Sequence, residues 1–375
     1  MLWAVLSLAD PRRCIFCGQK PLDKNREHVL PQWILERTGD PTRVVTLGQD
    51  YSKGKGEIRY SWSNYVAPAC ERCNATYSAL EKRAEQLTSK LENRQAISVG
   101  DYVALLDWLD KVRVGVWLLR HMIENHSIEI TPNFYISSRV ATKDRMLALY
   151  VFGDQPKGIN LVGSDSMVFS DMPSCFGLRM NNLLMLNISY DFFCSRGCGL
   201  PYPHSMKLLK GGEDSRKMLL EGVSGPQKVS SPVTRIRLFK PVIWLYQAIK
   251  LPSSDPAFPG GYFGHVNLTD TRTIPLTLEG SPQQGAIVRQ FSNHVEVLRN
   301  PASLVPFDTV AGNDSVKYGN IAASIYDAQA LLYSGIQYEW IEPPAPPEEH
   351  VMFRKMVIEN TREFAEQYRR AVNSH

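Results

Sequence analysis

Cys14-Ile15-Phe16-Cys17 and Cys70-Glu71-Arg72-Cys73-Asn74, with Glu27-His28-Val29-Leu30-Pro31 between them, are the stretches on which the reading of this chain turns. A Cys-x-x-Cys turn brings two sulfurs within reach of one ion, and two such turns complete a tetrahedron. Cys17 and Cys70 are 53 residues apart. That gap is tolerable because loop-closure entropy grows only with the logarithm of length. The spacing predicts a structural zinc held by Cys14, Cys17, Cys70 and Cys73. Four thiolates close the coordination sphere, so this ion builds structure and performs no chemistry. The rival reading is two unrelated redox or buried cysteine pairs, but no thioredoxin-like βαβ pattern surrounds either one.

Around these pairs, residues 11–77 are polar and punctuated by Pro11, Gly18, Pro21, Pro31, Gly39, Pro41, Gly54 and Gly56. Such a segment packs poorly without a staple, and metal-binding free energy becomes folding free energy. Pro31 to Arg37 reads as a short helix with Trp33, Ile34 and Leu35 partly buried. Val44–Leu47 and Ile58–Trp62 read as strands joined by the basic turn Lys53-Gly54-Lys55-Gly56. A charged helix is expected over Tyr77–Arg94. An apolar one is expected over Ser98–Glu124, where Leu105, Trp108, Leu109, Val112, Val116 and Leu119 recur at helical spacing. Ser98 and Asp101 are placed to cap the second helix.

The ordered set Cys14-x-x-Cys17, Glu27-His28, Asn64 and Cys70-x-x-Cys73-Asn74 resembles the HNH endonuclease motif in its zinc-knuckle form, over residues 11–85. The resemblance implies a ββα-metal module. A strand ends near His28, a second carries or follows Asn64, a helix opens at Asn74, and a divalent cation, Mg2+ or Mn2+, lies among them. By position His28 is the general base, Glu27 and Asn74 are ligands of the catalytic ion, and Asn64 holds the loop that orients His28. The chain departs from the family pattern in carrying Glu27 where Asp is usual and Asn74 where many members have His.

The chemistry agrees with these roles. An imidazole takes a proton from water near neutral pH. Carboxylate and amide oxygens suit a hard divalent ion that keeps open positions for a phosphate. One geometric difficulty stands: neighbours on a strand face opposite sides, so Glu27 and His28 serve one site only if the chain turns there. Glu81 lies seven residues after Asn74 on the same helical face and reads first as a surface carboxylate, with an extra metal ligand or a group supporting the ligands as the alternative. Arg26, Lys53, Lys55, Arg72 and Lys82 are the basic residues expected against phosphates.

The rest of the chain bounds the reading. Hydrophobic residues make up 43% and charged ones 21% of 375 residues, enough for a large core. The formal charge of +4 permits a nucleic-acid partner without announcing one. The expected fold class is α+β: a nuclease module over 1–95, a helical segment and mixed domain over 96–341, and a Pro-rich linker with a terminal helix over 342–375. That helix puts Met352, Met356, Val357 and Phe364 on one side, for docking on the body or for a partner or second copy. Cys175, Cys194 and Cys198 read as buried thiols, with half of a second zinc site as the alternative.

The N-terminal apolar run lacks a basic start and a cleavage site, and no stretch is long enough to span a bilayer. Seven cysteines, four of them in metal-type pairs, point to a reducing cytoplasm. The expected activity is hydrolysis of phosphodiester bonds, chiefly in double-stranded DNA and in a defence or restriction setting. The alternatives are a non-catalytic zinc-stabilised nucleic-acid-binding module and a sensor or effector switched on by a partner.

Overall fold

A computed structural model describes residues 12–23, 25–49, 57–123, 134–153, 156–190, 192–199, 203–210, 216–223, 228–250, 266–267, 283–308, 317–334, 339–340 and 348–373. The turn with Lys53 and Lys55, the Pro343–Pro347 linker and the N-terminal apolar run lie outside the described residues.

The N-terminal part begins with the Cys14–Cys17 turn and strand β1 (Arg26–His28). Helix α1 (Gln32–Arg37) starts at Pro31, as predicted, and buries Ile34 and Leu35. Strands β2 (Val44–Gln49) and β3 (Glu57–Ser61) form the expected antiparallel hairpin. A 3-10 turn over Trp62–Asn64 leads into β4 (Val66–Pro68), which pairs antiparallel with β1. Helix α2 (Glu71–Glu92) follows at once. It begins earlier than the predicted Tyr77, because Cys70 already stands in extended conformation at its N-cap and the Asn74 N–H donates to the Cys70 carbonyl at 3.0 Å.

After the short strand β5 (Ile97–Ser98) comes α3 (Val99–Ile123). Its start carries the expected reciprocal cap. The Asp101 N–H donates to Ser98 Oγ at 3.1 Å, and the Ser98 N–H donates to Asp101 Oδ2 at 3.1 Å. The helix is buried nearly all round and is therefore central rather than superficial.

Beyond it run β6 (Asp144–Val151), β7 (Ile159–Val162), α4 (Met167–Asp171), β8 (Cys175–Met180), β9 (Leu183–Tyr190), β10 (Pro203–Lys210), β11 (Arg216–Val223), β12 (Ile243–Lys250), β13 (Val266–Asn267), β14 (Gln283–Gln290), β15 (Val295–Leu298) and β16 (Leu304–Val305). Helix α5 (Tyr318–Ser334), β17 (Glu339–Trp340) and α6 (Glu348–Asn373) complete the chain.

A seven-stranded antiparallel sheet, ordered β15-β14-β12-β6-β9-β8-β7, is the framework. Strand alternation divides its side chains between two cores. Leu147, Leu149, Met185, Leu178 and Leu245 pack on the side shared with Trp108, Leu109 and Val112 of α3. Met146, Ala148, Leu186, Tyr246 and Val288 pack with Ile321, Ile325 and Tyr326 of α5. Both faces are covered, so all eight residues of β6 are buried. The α3-side core continues without a break through Val29, Leu30 and Phe16 into the N-terminal part.

Helix α6 docks on the body. Val357, Thr361 and Ala365 are fully buried, and Phe364 stacks on Tyr326 at 5.3 Å. The predicted face is corrected by a rotation: Met352 and Met356 point outward, at 64% and 46% exposure, because the helical stripe through Val357, Thr361 and Ala365 turns inward. No helix among the described residues is long and apolar enough to cross a membrane.

Candidate active site beside a four-cysteine cluster

Two loops and one helix build the cysteine cluster. In the first turn Gly18 closes the loop with its N–H on the Cys14 carbonyl at 2.8 Å, and its φ of +74° suits glycine. A Cβ there would stand 2.1 Å from the Tyr135 ring, so the turn is also packed closed from outside. In the second turn the Cys70 N–H donates to Cys14 Sγ at 3.2 Å, which ties the N-terminus of α2 to the first pair. The donor sulfurs of Cys14, Cys17, Cys70 and Cys73 all lie within 4.8 Å of one another. Among the described residues this is the one group of three or more Cys, His, Asp or Glu gathered closely enough for a single ion.

Electrostatics favour a cation there. Burial and the neighbouring Cys14 and Cys17 push Cys70 up to about 12, and burial with the same two neighbours pushes Cys73 up to about 12. Burial raises Cys14 too, but backbone N–H groups of Cys17, Cys70 and Phe16 outweigh it and hold that thiol below its usual value. A thiol held low beside two held high suits a zinc ion, whose binding draws the protons from all of them. The donor set fits a structural metal such as zinc.

Beyond the cluster, β1, β4 and α2 form a strand-strand-helix unit with Glu27 opposite Ala67 and His28 opposite Val66. Glu27 points inward, at 4% exposure, and His28 is half-buried at the strand end. Val29 then donates its N–H to the Tyr65 carbonyl at 3.3 Å, and Leu30 and Pro31 lead into α1. The chain therefore leaves the strand directly after His28.

Glu27 is met by Lys111 from α3, whose Nζ lies 2.5 Å from Glu27 Oε1 and also contacts Glu81 Oε1 of α2. Lys111 is 1% exposed. Its ammonium lies 5.6 Å from the centre of the Phe16 ring, which belongs to the first cysteine turn and stacks on Tyr77 of α2 at 4.8 Å. Burial drives the Glu27 carboxyl up to about 7; Lys111 opposes this shift and Glu81 adds to it. Burial lowers His28, against an upward pull from Glu81. One carboxylate on α2 thus acts on both members of the Glu-His step, although they leave the strand on opposite sides. His28 Nδ1 is buried with no hydrogen-bond partner.

The remaining predicted residues lie on the neighbouring elements. Asn74 is half-buried in the first turn of α2, beside Cys73. Asn64 is exposed at the end of the 3-10 turn, and the contact onto the end of the His28 strand comes from the backbone of Tyr65. Arg26, Arg72 and Lys82 are exposed, and Lys82 lines a shallow hollow with Arg37, Glu85 and Gln86. Glu27 and Asn74 carry oxygen donors of the kind a hard divalent ion takes. Glu27, however, already holds a cation, the Lys111 ammonium.

Lys111 escaped the sequence reading, and Glu81 reads there mainly as a surface carboxylate. Glu81 is an ion-pair partner of a buried lysine, at 22% side-chain exposure, and this replaces the surface-carboxylate reading. Lys111 stands in α3 among other charged residues, Asp107, Asp110 and Arg113, so its place in the sequence does not single it out.

Cys175, Cys194 and Cys198 lie outside that cluster. Burial pushes Cys175 and Cys194 far up, and Asp144 is occupied by the N–H groups of Cys194 and Ser195 and by the Ser195 hydroxyl. No protein-family model, curated protein or solved structure matches this chain.

Proposed function

We propose that the chain is a metal-dependent endonuclease of the HNH type that hydrolyses phosphodiester bonds in nucleic acid, with double-stranded DNA as the main substrate. The observation that carries the reading is convergence. The strand bearing Glu27-His28 is paired beside the N-terminus of α2, whose opening turn supplies both the second cysteine pair and Asn74. Residues with nuclease-type chemistry from separate parts of the chain belong to one strand-strand-helix unit, and this supports the reading.

In this reading His28 is the general base. Burial lowers its pKa, which favours the neutral imidazole that a general base needs. Glu27 and Asn74 hold a divalent ion, Mg2+ or Mn2+. When bound, that ion supplies charge neutralisation for the phosphate and the departing O3′. Glu81 and Lys111 fix the Glu27 carboxylate from α2 and α3. Arg26 and Arg72, exposed near the ends of β1 and α2, lie along the nucleic-acid backbone and read charge rather than sequence.

A second reading, a zinc-stabilised module that binds nucleic acid without cutting it, has one specific observation in its favour. Lys111 neutralises Glu27 from within the protein. Incubating supercoiled plasmid with the zinc-loaded chain and Mg2+ or Mn2+ separates the two. The nuclease reading expects nicking that falls at least about a hundredfold in His28→Ala, the usual worth of a general base, with zinc content and DNA binding retained. Equal nicking by His28→Ala removes His28 from the mechanism. Binding without any cleavage by the wild type favours the second reading.

A further inference from the structure

Leu22 is fully exposed, at 104%, whereas every other exposed large apolar residue among the described ones keeps part of its surface covered, Leu304 coming next at 66%. A single apolar side chain on a surface is ordinary. This one differs because the loop that presents it is fixed. The Cys14 N–H donates to the Gln19 carbonyl at 2.8 Å and closes the loop on the cysteine side. Pro21 restricts the backbone just before the leucine. Asp23 comes just after it, and its Oδ2 accepts the Glu71 N–H at 3.1 Å, which ties the loop to the start of α2. The Asn25 carbonyl accepts the Ala69 N–H at 3.1 Å. The leucine is therefore held out to solvent by an anchored loop.

The charge around the tip indicates what it meets. From Arg12 to Arg26 the sequence places five cations, Arg12, Arg13, Lys20, Lys24 and Arg26, and one carboxylate before Glu27, that of Asp23. Asp23 is engaged within the protein by the N–H groups of Glu71 and Asn25. Arg72 is exposed in the first turn of α2, next to Glu71. An apolar tip within a mainly basic rim suits a nucleic-acid duplex. Phosphates take the cations, and apolar wedges such as leucine enter between base steps and kink the duplex by about 20–90°. A lipid surface holds a protein in proportion to the apolar area it buries, and one leucine offers little.

We propose that Leu22 is a wedge that enters a base step of a nucleic-acid duplex while Lys20, Arg26 and Arg72 hold the phosphates, so that the chain binds duplex by distorting it. Leu22 precedes His28 by six residues. Six residues span at most about 20 Å, or about six nucleotides of one strand. The wedge thus distorts the same stretch of duplex that meets the end of β1. Pyrimidine–purine steps unstack most easily, so the wedge favours them without reading base edges. The inference rests on a nucleic-acid partner, which the nuclease and the binding readings share, and on no catalytic ion.

Two measurements on the full-length, zinc-loaded chain, without added Mg2+ or Mn2+, test it. Plasmid is relaxed by a metal-independent topoisomerase with the chain bound, and the topoisomer distribution reports unwinding. Fluorescence anisotropy of a labelled duplex at several salt concentrations reports affinity. The wild type is expected to unwind plasmid in proportion to the amount bound. Leu22→Ala is expected to unwind at least about fivefold less per bound chain, and Leu22→Met as much as the wild type. The salt dependence of binding is expected to stay the same in both, because the phosphate contacts are untouched. With its side chain fully exposed, Leu22 supports no packing, so these variants fold as the wild type does. Duplex binding without unwinding, or equal unwinding by Leu22→Ala, overturns the wedge and leaves the nucleic-acid reading standing. Failure to bind any duplex overturns both. Leucine-dependent binding to phosphatidylserine vesicles, with no unwinding of plasmid, assigns the loop to a membrane surface and overturns the wedge.

Discussion

Gly115 of α3 lies so close to Val29 that a Cβ placed on the glycine would stand 3.0 Å from Val29 Cγ1. Val29 immediately follows His28, so this glycine lets the end of β1 settle onto the central helix. Ala is favoured over Gly inside a helix by about 1 kcal/mol, whereas overpacking a core costs about 1–3 kcal/mol. Gly115→Ala therefore changes stability little, because the two effects oppose each other. Val29 must give by a few tenths of an ångström, and on the nuclease reading His28 next to it shifts too, where a displacement on the order of 1 Å costs up to about a hundredfold in rate. The expected outcome is a melting temperature within a few degrees of the wild type and DNA nicking reduced at least about tenfold. Nicking at the wild-type rate would show that the contact does not set the position of His28.

The cysteine cluster should couple zinc to protons. In the metal-free chain Cys70 and Cys73 stand at about 12, so both are thiols at neutral pH and must lose protons when the ion binds. Binding releases protons, so zinc affinity rises with pH and falls with acid. Competition with a chromophoric chelator between pH 6 and pH 8 is expected to show apparent affinity climbing with pH. Elemental analysis is expected to find about one zinc per chain, lost together with N-terminal folding in Cys73→Ser. A pH-independent affinity, or a folded Cys73→Ser chain, contradicts this account of the staple.

Much of this was legible in the sequence because it depends on spacing. The paired cysteines, the hairpin of β2 and β3, the Ser98–Asp101 cap and the apolar face of α3 are local patterns. The coordinates gather the cysteines and form the cap as the spacing implied. The Lys111–Glu27 and Lys111–Glu81 contacts join residues 84 and 30 positions apart, and nothing local announces them. Glu81 alone reads as surface charge, and Lys111 alone draws no reading at all. Burial of the lysine decides the matter, and burial is a property of three elements together. The same holds for α6. Its apolar residues were visible, but the inward face depended on where α5 presents Tyr326 and was wrongly assigned to Met352 and Met356.

Glu81 should set the acid limit of cleavage. Its charge raises both Glu27, which stands at about 7, and His28, whose pKa burial lowers overall. On the proposed nuclease reading, cleavage needs Glu27 ionised and His28 neutral, and both conditions are met as pH rises. The acid limb of kcat/KM, which reports the free protein, should therefore be set by Glu27 near pH 7. Removing the Glu81 charge lowers both groups, so Glu81→Gln is expected to move this limb to lower pH. A limb that stays in place or moves upward contradicts the assignment of Glu81 to the site.

The central claim is that one side of the zinc staple presents a second seat for an ion, beside His28. Crystals of the zinc-loaded chain soaked in Mn2+ test this directly through anomalous scattering. The account predicts a manganese peak in contact with Glu27 and Asn74, separate from the zinc among Cys14, Cys17, Cys70 and Cys73. Zinc density at the cysteines, with Lys111 still on Glu27 and no manganese beside His28, would contradict it.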